Sequence, residues 1–275
     1  MPEIFQFEFI RNSIIAVILL SITCGIIGSY IVVRRMVFIS DAIAHTVFGG
    51  IGIAHYFGFN IFAGAFVFGI LAMIILELII RYIKERRDSI IGIMLASGMA
   101  IGIIFIYLTP GYSTDLFSYL FGNILLITQN ELIHIALLNI ILLIFFVVYF
   151  NVLRAIAFDN DFAVVLKLPV QNINFAMTIF ITIAIILSIK AVGIILVIAL
   201  LTIPPSIASF FFNDLKKIII TSICLGILFG CCGLYFSYNF DLPTGAVIIL
   251  ISVCFYLISL IFKKIKQKFA FHKIQ

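Results

Sequence analysis

Asp41 and His45 are the residues of this sequence whose types and spacing point most directly to chemistry. They lie four positions apart in the stretch Met36 to Tyr56, which is otherwise almost wholly apolar. If that stretch is an α-helix, the two side chains share one face, with Cβ atoms about 5–6 Å apart. A carboxylate oxygen and an imidazole nitrogen can then bind one small cation, so the pair predicts part of a metal path.

The elements that must position this pair are membrane-spanning helices. Hydrophobic residues make up 64% of the chain and charged residues 11%, with a mean hydropathy of +1.32, whereas about a quarter of the residues in soluble domains are charged. A span needs roughly 17–25 mostly apolar residues. We therefore predict an all-α polytopic membrane protein, a single domain over residues 1–275, with about nine transmembrane helices. The predicted windows are 12–33, 36–57, 61–81, 90–109, 131–150, 172–190, 191–212, 218–238 and 245–262.

The positive charges predict the orientation of these helices. Lys and Arg concentrate in cytoplasmic loops, and nearly all of the 17 here follow odd-numbered windows. Only Arg11 and Lys190 fall on the opposite side. We expect an N-terminus outside, a C-terminus in the cytoplasm and a location in the bacterial cytoplasmic membrane. Attraction to the membrane surface accounts for the net charge of +5, so no nucleic-acid partner is required.

Carboxylate and imidazole ligands suit divalent first-row metal ions. One Asp and one His from each of two chains would supply four ligands. The alternative is that Asp41 or His45 only forms a hydrogen bond to a neighbouring helix, as polar residues in membranes do. Weaker metal candidates are His55, near the outer end of the same helix, and Glu131 with His134, which are three positions apart.

Several activities are excluded by the absence of their motifs from the sequence. It contains no G-x-x-x-x-G-K-[ST] phosphate loop and no H-E-x-x-H motif, so neither P-loop nucleotide hydrolysis nor that class of zinc hydrolysis is expected. A membrane-embedded enzyme would need a nucleophile paired with a base, and we find no such pair in the sequence. We therefore expect a transport subunit rather than an enzyme, with any ATP bound by another subunit.

Five ordered motifs resemble the permease subunits of bacterial zinc, manganese and iron ABC importers, the ABC-3 metal permease family. Together they extend over essentially the whole chain. They are Arg34-Arg35-Met36 followed by Ser40-Asp41-Ala42-Ile43-Ala44-His45, the run at 118–125, Ala157-Phe158-Asp159, the run at 193–204, and Asp241-Leu242-Pro243-Thr244-Gly245.

The resemblance implies a transporter with several subunits. Two copies of the permease would assemble with two cytoplasmic ATPase subunits and an extracytoplasmic metal-binding protein, and would work by alternating access. No permanently bound cofactor is implied, because zinc, manganese or iron would be the cargo. Two alternatives stay open: an ABC permease for chelated iron or cobalamin, and a secondary metal transporter driven by an ion gradient.

The cytoplasmic stretch 151–169 is similar to the segment that contacts the ATPase in this family. We call it the coupling segment, and its candidate contact residues are Phe158, Asp159, Phe162 and Lys167. Lys167 stands where relatives often carry glycine.

Glycine and proline positions give two further expectations. The Gly98-x-x-x-Gly102 and Gly226-x-x-x-Gly230 spacings predict close helix contacts. Pro204-Pro205 predicts either a kink inside the seventh span or a helix end at Ile203.

Overall fold

A computed structural model describes residues 8–82, 87–109, 120 and 122–272 of the chain, and part of the motif at 118–125 lies outside them. Within these ranges lie nine helices long and apolar enough to cross a membrane, and no strand. The predicted all-α membrane fold is confirmed. The helices are α1 (Glu8–Val33), α2 (Val37–Phe57), α3 (Ile61–Tyr82), α4 (Arg87–Leu108), α5 (Gln129–Phe158), the short α6 (Asn160–Val165), α7 (Val170–Val192), α8 (Ile194–Phe211), α9 (Leu215–Phe240) and α10 (Thr244–His272).

The helices differ in how much of each lies inside the bundle. Within the most apolar window of each helix, 72% of α1, 61% of α2 and 61% of α7 is buried, against 17% of α10 and 22% of α4. The helix that carries Asp41 and His45 is therefore central. We call the end of the bundle at which α1 stops and α2 starts the basic end, and the opposite one the far end.

Glycines bring α2 and α4 into backbone contact beside His45. A Cβ added to Gly98 would lie 2.7 Å from the carbonyl oxygen of His45 and 2.7 Å from the Cα of Thr46. A Cβ on Gly102 would lie 2.5 Å from the ring of Phe48. The close contact predicted from the Gly98–Gly102 spacing is confirmed, and it holds the backbone that carries His45.

The second glycine pair packs α9 against α1. A Cβ on Gly226 would lie 3.0 Å from the hydroxyl oxygen of Ser21, and one on Gly230 would overlap the side chain of Val17. This predicted contact is also confirmed. Each of these two glycine contacts therefore involves one of the central helices, α1 or α2.

Pro204 and Pro205 lie inside α8, which continues to Phe211. A helix end at Ile203 is therefore wrong. Proline has no N–H, so Pro205 leaves the carbonyl of Leu201 without its usual helical donor. That carbonyl packs directly against the backbone of Gly28 in α1, where a Cβ would overlap it. Burial between helices makes the two prolines tolerable at this depth.

Two helices at the basic end finish in Schellman motifs without glycine. At the end of α1 the N–H of Met36 donates to the carbonyl of Ile31 at 2.8 Å and that of Arg35 to Val32 at 3.1 Å. Arg35 has φ of 56° and Lys167, in the same position after α6, has φ of 55°. Glycine is the usual residue in this left-handed conformation, so the glycine that the family resemblance implies at the position of Lys167 would fit this backbone.

Candidate functional site

Asp41 and His45 contact each other on α2. The Nε2 atom of His45 lies 3.3 Å from the Oδ1 atom of Asp41, and the side chains are 17% and 26% exposed respectively. A helix places positions four apart on one face, so the contact follows directly from the local sequence. The Nδ1 atom of His45 is buried and has no hydrogen-bond partner among the described residues.

The separation of the two donor atoms suits a shared metal ion. Two ligand atoms about 2.1 Å from one tetrahedral ion are about 3.4 Å apart, and the observed distance is 3.3 Å. The described residues contain no cluster of three or more His, Cys, Asp or Glu side chains. Among the described residues, the chain therefore offers two candidate ligands in this region.

The pair lies deep in the bundle. At 1.5 Å per residue, His45 is about 12 Å from the start of a helix about 30 Å long. The backbone on its other side is held by Gly98 of α4. The pair is consequently both internal and rigidly mounted, although its side chains keep partial access to the surroundings.

The weaker metal candidates do not join this site. His55 follows His45 by about 15 Å along α2 and is half-buried in the last turn. One carboxylate oxygen of Glu131 pairs with Lys190 at 2.9 Å, and the other accepts from the N–H of Thr128 in a capping box at the start of α5. His134 is exposed, and its Nδ1 lies 2.6 Å from the carbonyl oxygen of Asn130.

The coupling segment is mostly helical. α5 continues to Phe158, two turns beyond the predicted end at residue 150, because Leu153 and Ile156 keep an apolar face that is fully buried. Asp159 then caps α6 by accepting from the N–H of Phe162 at 2.9 Å.

Large apolar side chains of the coupling segment are exposed at the basic end. Phe158 is 50%, Phe162 56% and Val165 77% exposed. Such a patch beyond the membrane-spanning part of a helix is typical of a protein contact. Asp159 caps the start of α6, and the left-handed Lys167 follows its end.

A polar network at the basic end is not apparent from the sequence motifs. The guanidinium of Arg34 donates from Nη1 to the carbonyl of Ile156 at 3.0 Å and to Oδ1 of Asn160 at 2.9 Å, and from Nη2 to Oδ1 of Asn174 at 3.5 Å. The sequence gives only a weak signal for this network, because Arg34 and Asn160 are simply polar residues that follow the ends of α1 and α5. Their pairing depends on positions more than a hundred residues apart.

The described helices form an apolar bundle that carries an internal Asp–His pair, and comparison with known proteins gives the class of the chain. The family model of the ABC 3 transport family matches residues 6–263. An uncharacterized membrane protein of Synechocystis sp. is 42% identical over 96% of this chain and 94% of its own length. A manganese transport system membrane protein, MntC, of Listeria monocytogenes is 32% identical over 98% and 95%.

A solved structure agrees with these sequence relatives. PsaBC from Streptococcus pneumoniae in complex with Fab is 33% identical, with a TM-score of 0.82 over 93% of this chain and 92% of that one. The chain belongs to the ABC 3 transport family, as its motifs predicted. It is a multi-pass membrane protein and a transport component.

Proposed function

We propose that this chain is the permease subunit of an ATP-driven importer of divalent transition-metal ions, with manganese as its cargo. The observation that carries the proposal is the internal contact of Asp41 with His45, which presents a carboxylate and an imidazole to one ion. Manganese is chosen over zinc and iron because relatives from Listeria and Streptococcus carry manganese transport or import in their names. Imidazole and carboxylate ligands themselves accept all three ions.

The transport site would be completed by a second copy of the chain. Two ligands per chain leave an ion incompletely coordinated, and a two-fold assembly would provide two Asp and two His side chains. Incomplete coordination within each chain also suits transport, because separating the copies would weaken binding and release the ion. This is the chemical basis for alternating access in the proposed importer.

Energy would enter at the basic end, which we place in the cytoplasm. The exposed Phe158 and Phe162 offer an apolar contact for an ATPase subunit, and the sequence contains no P-loop motif. An extracytoplasmic metal-binding protein would deliver the ion to the far end. The proposed complex thus contains two permeases, two ATPases and one delivery protein.

Uptake of radioactive manganese into cells tests the role of the pair. Asp41→Ala and His45→Ala should each abolish uptake, while the protein stays in the membrane and still co-purifies with its ATPase. Thr46→Val is the matched control on α2, since its hydroxyl only donates to the carbonyl of Ala42 in its own helix. Normal uptake by both alanine variants would remove the pair from the ion path.

Reconstitution separates the proposal from the other transport classes. Proteoliposomes with this chain alone should show no uptake under an ion gradient, and uptake should begin when the ATPase, ATP and delivery protein are added. Free manganese, zinc and iron ions should compete for uptake, whereas their chelates should not, which would identify an unchelated ion as the cargo. Gradient-driven uptake by the chain alone would instead establish a secondary transporter.

A further inference from the structure

Arg34 joins three helices of the basic end through one side chain. Its Nη1 atom reaches the last turn of α5 at Ile156 and the first residue of α6, Asn160, while Nη2 approaches Asn174 in α7. The carbonyls in the last turn of a helix have no helical donor, and a cation there also complements the helix dipole. The flat guanidinium makes these contacts in a fixed orientation that a lysine cannot reproduce.

The backbone of Arg34 belongs to the junction between α1 and α2. The Schellman bonds at Met36 and Arg35 hold this junction in a defined shape, and Val37 begins α2 immediately after it. Asp41 lies about 6 Å further along the helix. A displacement of the Arg34 backbone is therefore applied to the start of the helix that carries the metal pair.

Space separates the coupling segment from α2 elsewhere in this region. A cavity of about 680 Å³ is lined by Phe38 and Ile39 of α2 and by Val164 and Leu168 of the coupling segment. Pressure on α6 would partly be absorbed by closing this cavity. The hydrogen bond from Arg34 to Asn160 is a direct link that does not cross the empty space.

We propose that Arg34 is a positioning residue that transmits movement of the coupling segment to α2, and so couples ATP hydrolysis in the partner subunit to the state of the Asp41–His45 pair. This inference rests on the proposed function. The hydrogen bond to Asn160 is the coupling contact to α6, and the bond to Ile156 anchors the guanidinium to the end of α5 within the same segment. Loss of the contact would allow ATP hydrolysis without the matching movement of α2.

The test compares metal uptake with ATP hydrolysis in proteoliposomes that contain the complete complex. Asn160→Ala and Arg34→Lys should each lower the number of manganese ions transported per ATP by about tenfold, as expected for loss of one charge-assisted hydrogen bond. ATP hydrolysis should continue. Asn160→Asp should retain the wild-type ratio because its carboxylate still accepts from Arg34. Arg11→Lys, at an exposed position near the start of α1 and outside the coupling segment, is the matched control.

The outcomes distinguish this inference from the proposed function. A wild-type complex that takes up no metal would contradict the proposed function and, with it, the role of Arg34. Normal wild-type uptake with an unchanged ratio in both Asn160→Ala and Arg34→Lys would overturn the coupling role alone. Equal decreases of uptake and hydrolysis in both variants would show that the network only stabilises the fold, and would also overturn it.

Discussion

The contact between Gly98 of α4 and the backbone of α2 yields a quantitative prediction for Gly98→Ala. The new methyl group would lie 2.7 Å from the His45 carbonyl oxygen and the Thr46 Cα, whereas ordinary contacts begin near 3.5 Å. The helices must therefore separate by about 0.8 Å. Overpacking of this kind costs roughly 1–3 kcal/mol, and the better helix propensity of alanine offsets at most about 1 kcal/mol.

The displaced backbone carries His45, so transport should be more sensitive than stability. A misplacement of this size at a reacting centre lowers rates by up to about a hundredfold, and we expect manganese uptake to fall roughly ten- to a hundredfold. Thermal unfolding in detergent should show a midpoint lower by several degrees, at about 2–4 °C per kcal/mol for a chain of this size.

Gly92→Ala is the control, because a Cβ at Gly92 of the same helix meets nothing within 4 Å. This variant should unfold at or above the wild-type temperature and transport normally. The opposite result is that Gly98→Ala matches Gly92→Ala in both the unfolding midpoint and uptake. The packing of α4 against α2 would then adjust to a methyl group without cost, and the inference that this contact holds His45 in place would be refuted.

Three further predictions concern single contacts. Lys167→Gly should raise the free energy of unfolding by about 1 kcal/mol, because glycine adopts the left-handed backbone of this position without strain. Lys167→Ala also removes the charge but should give no such increase. Equal thermal unfolding midpoints for the two variants would contradict backbone strain at Lys167. Asn139→Leu should cost about 0.5–2 kcal/mol in thermal unfolding, since the buried amide accepts from Thr23 at 2.6 Å and bonds α5 to α1; no loss would show that this bond contributes nothing. Glu131→Gln and Lys190→Met should each change stability by less than about 1 kcal/mol and leave manganese uptake unchanged; a loss of uptake in Glu131→Gln alone would restore Glu131 as a metal ligand.

Much of the fold could be predicted because each membrane span depends on the hydrophobicity of one contiguous stretch of sequence. Each window is a predominantly apolar run, and a helix satisfies the backbone hydrogen bonds of such a run in lipid. The Asp41–His45 contact is likewise local, since four residues of helix bring the side chains together. The end of α5 was placed two turns too early because hydropathy at residues 151–158 falls, although Leu153 and Ile156 remain buried.

Pairings between distant positions could not be predicted in this way. Glu131 has a spacing to His134 that suits a metal, yet its carboxylate contacts Lys190 of α7. Arg34 belongs to a motif next to the metal pair, but its side chain points to Asn160 and Asn174. Which partner such a charged group meets depends on how the helices pack.

The sequence by itself determined the number of spans, the basic end of the bundle and the position of an Asp–His pair within one helix. These features depend on residue type and on spacings of a few residues, which hydrophobicity and helix geometry convert directly into structure. The tertiary structure decided which backbone supports His45, whether the prolines end or only interrupt α8, and how the coupling segment connects to α2. Those features depend on contacts between helices that are far apart in the chain. Close side-chain packing determines these contacts only when all the helices of the bundle are assembled.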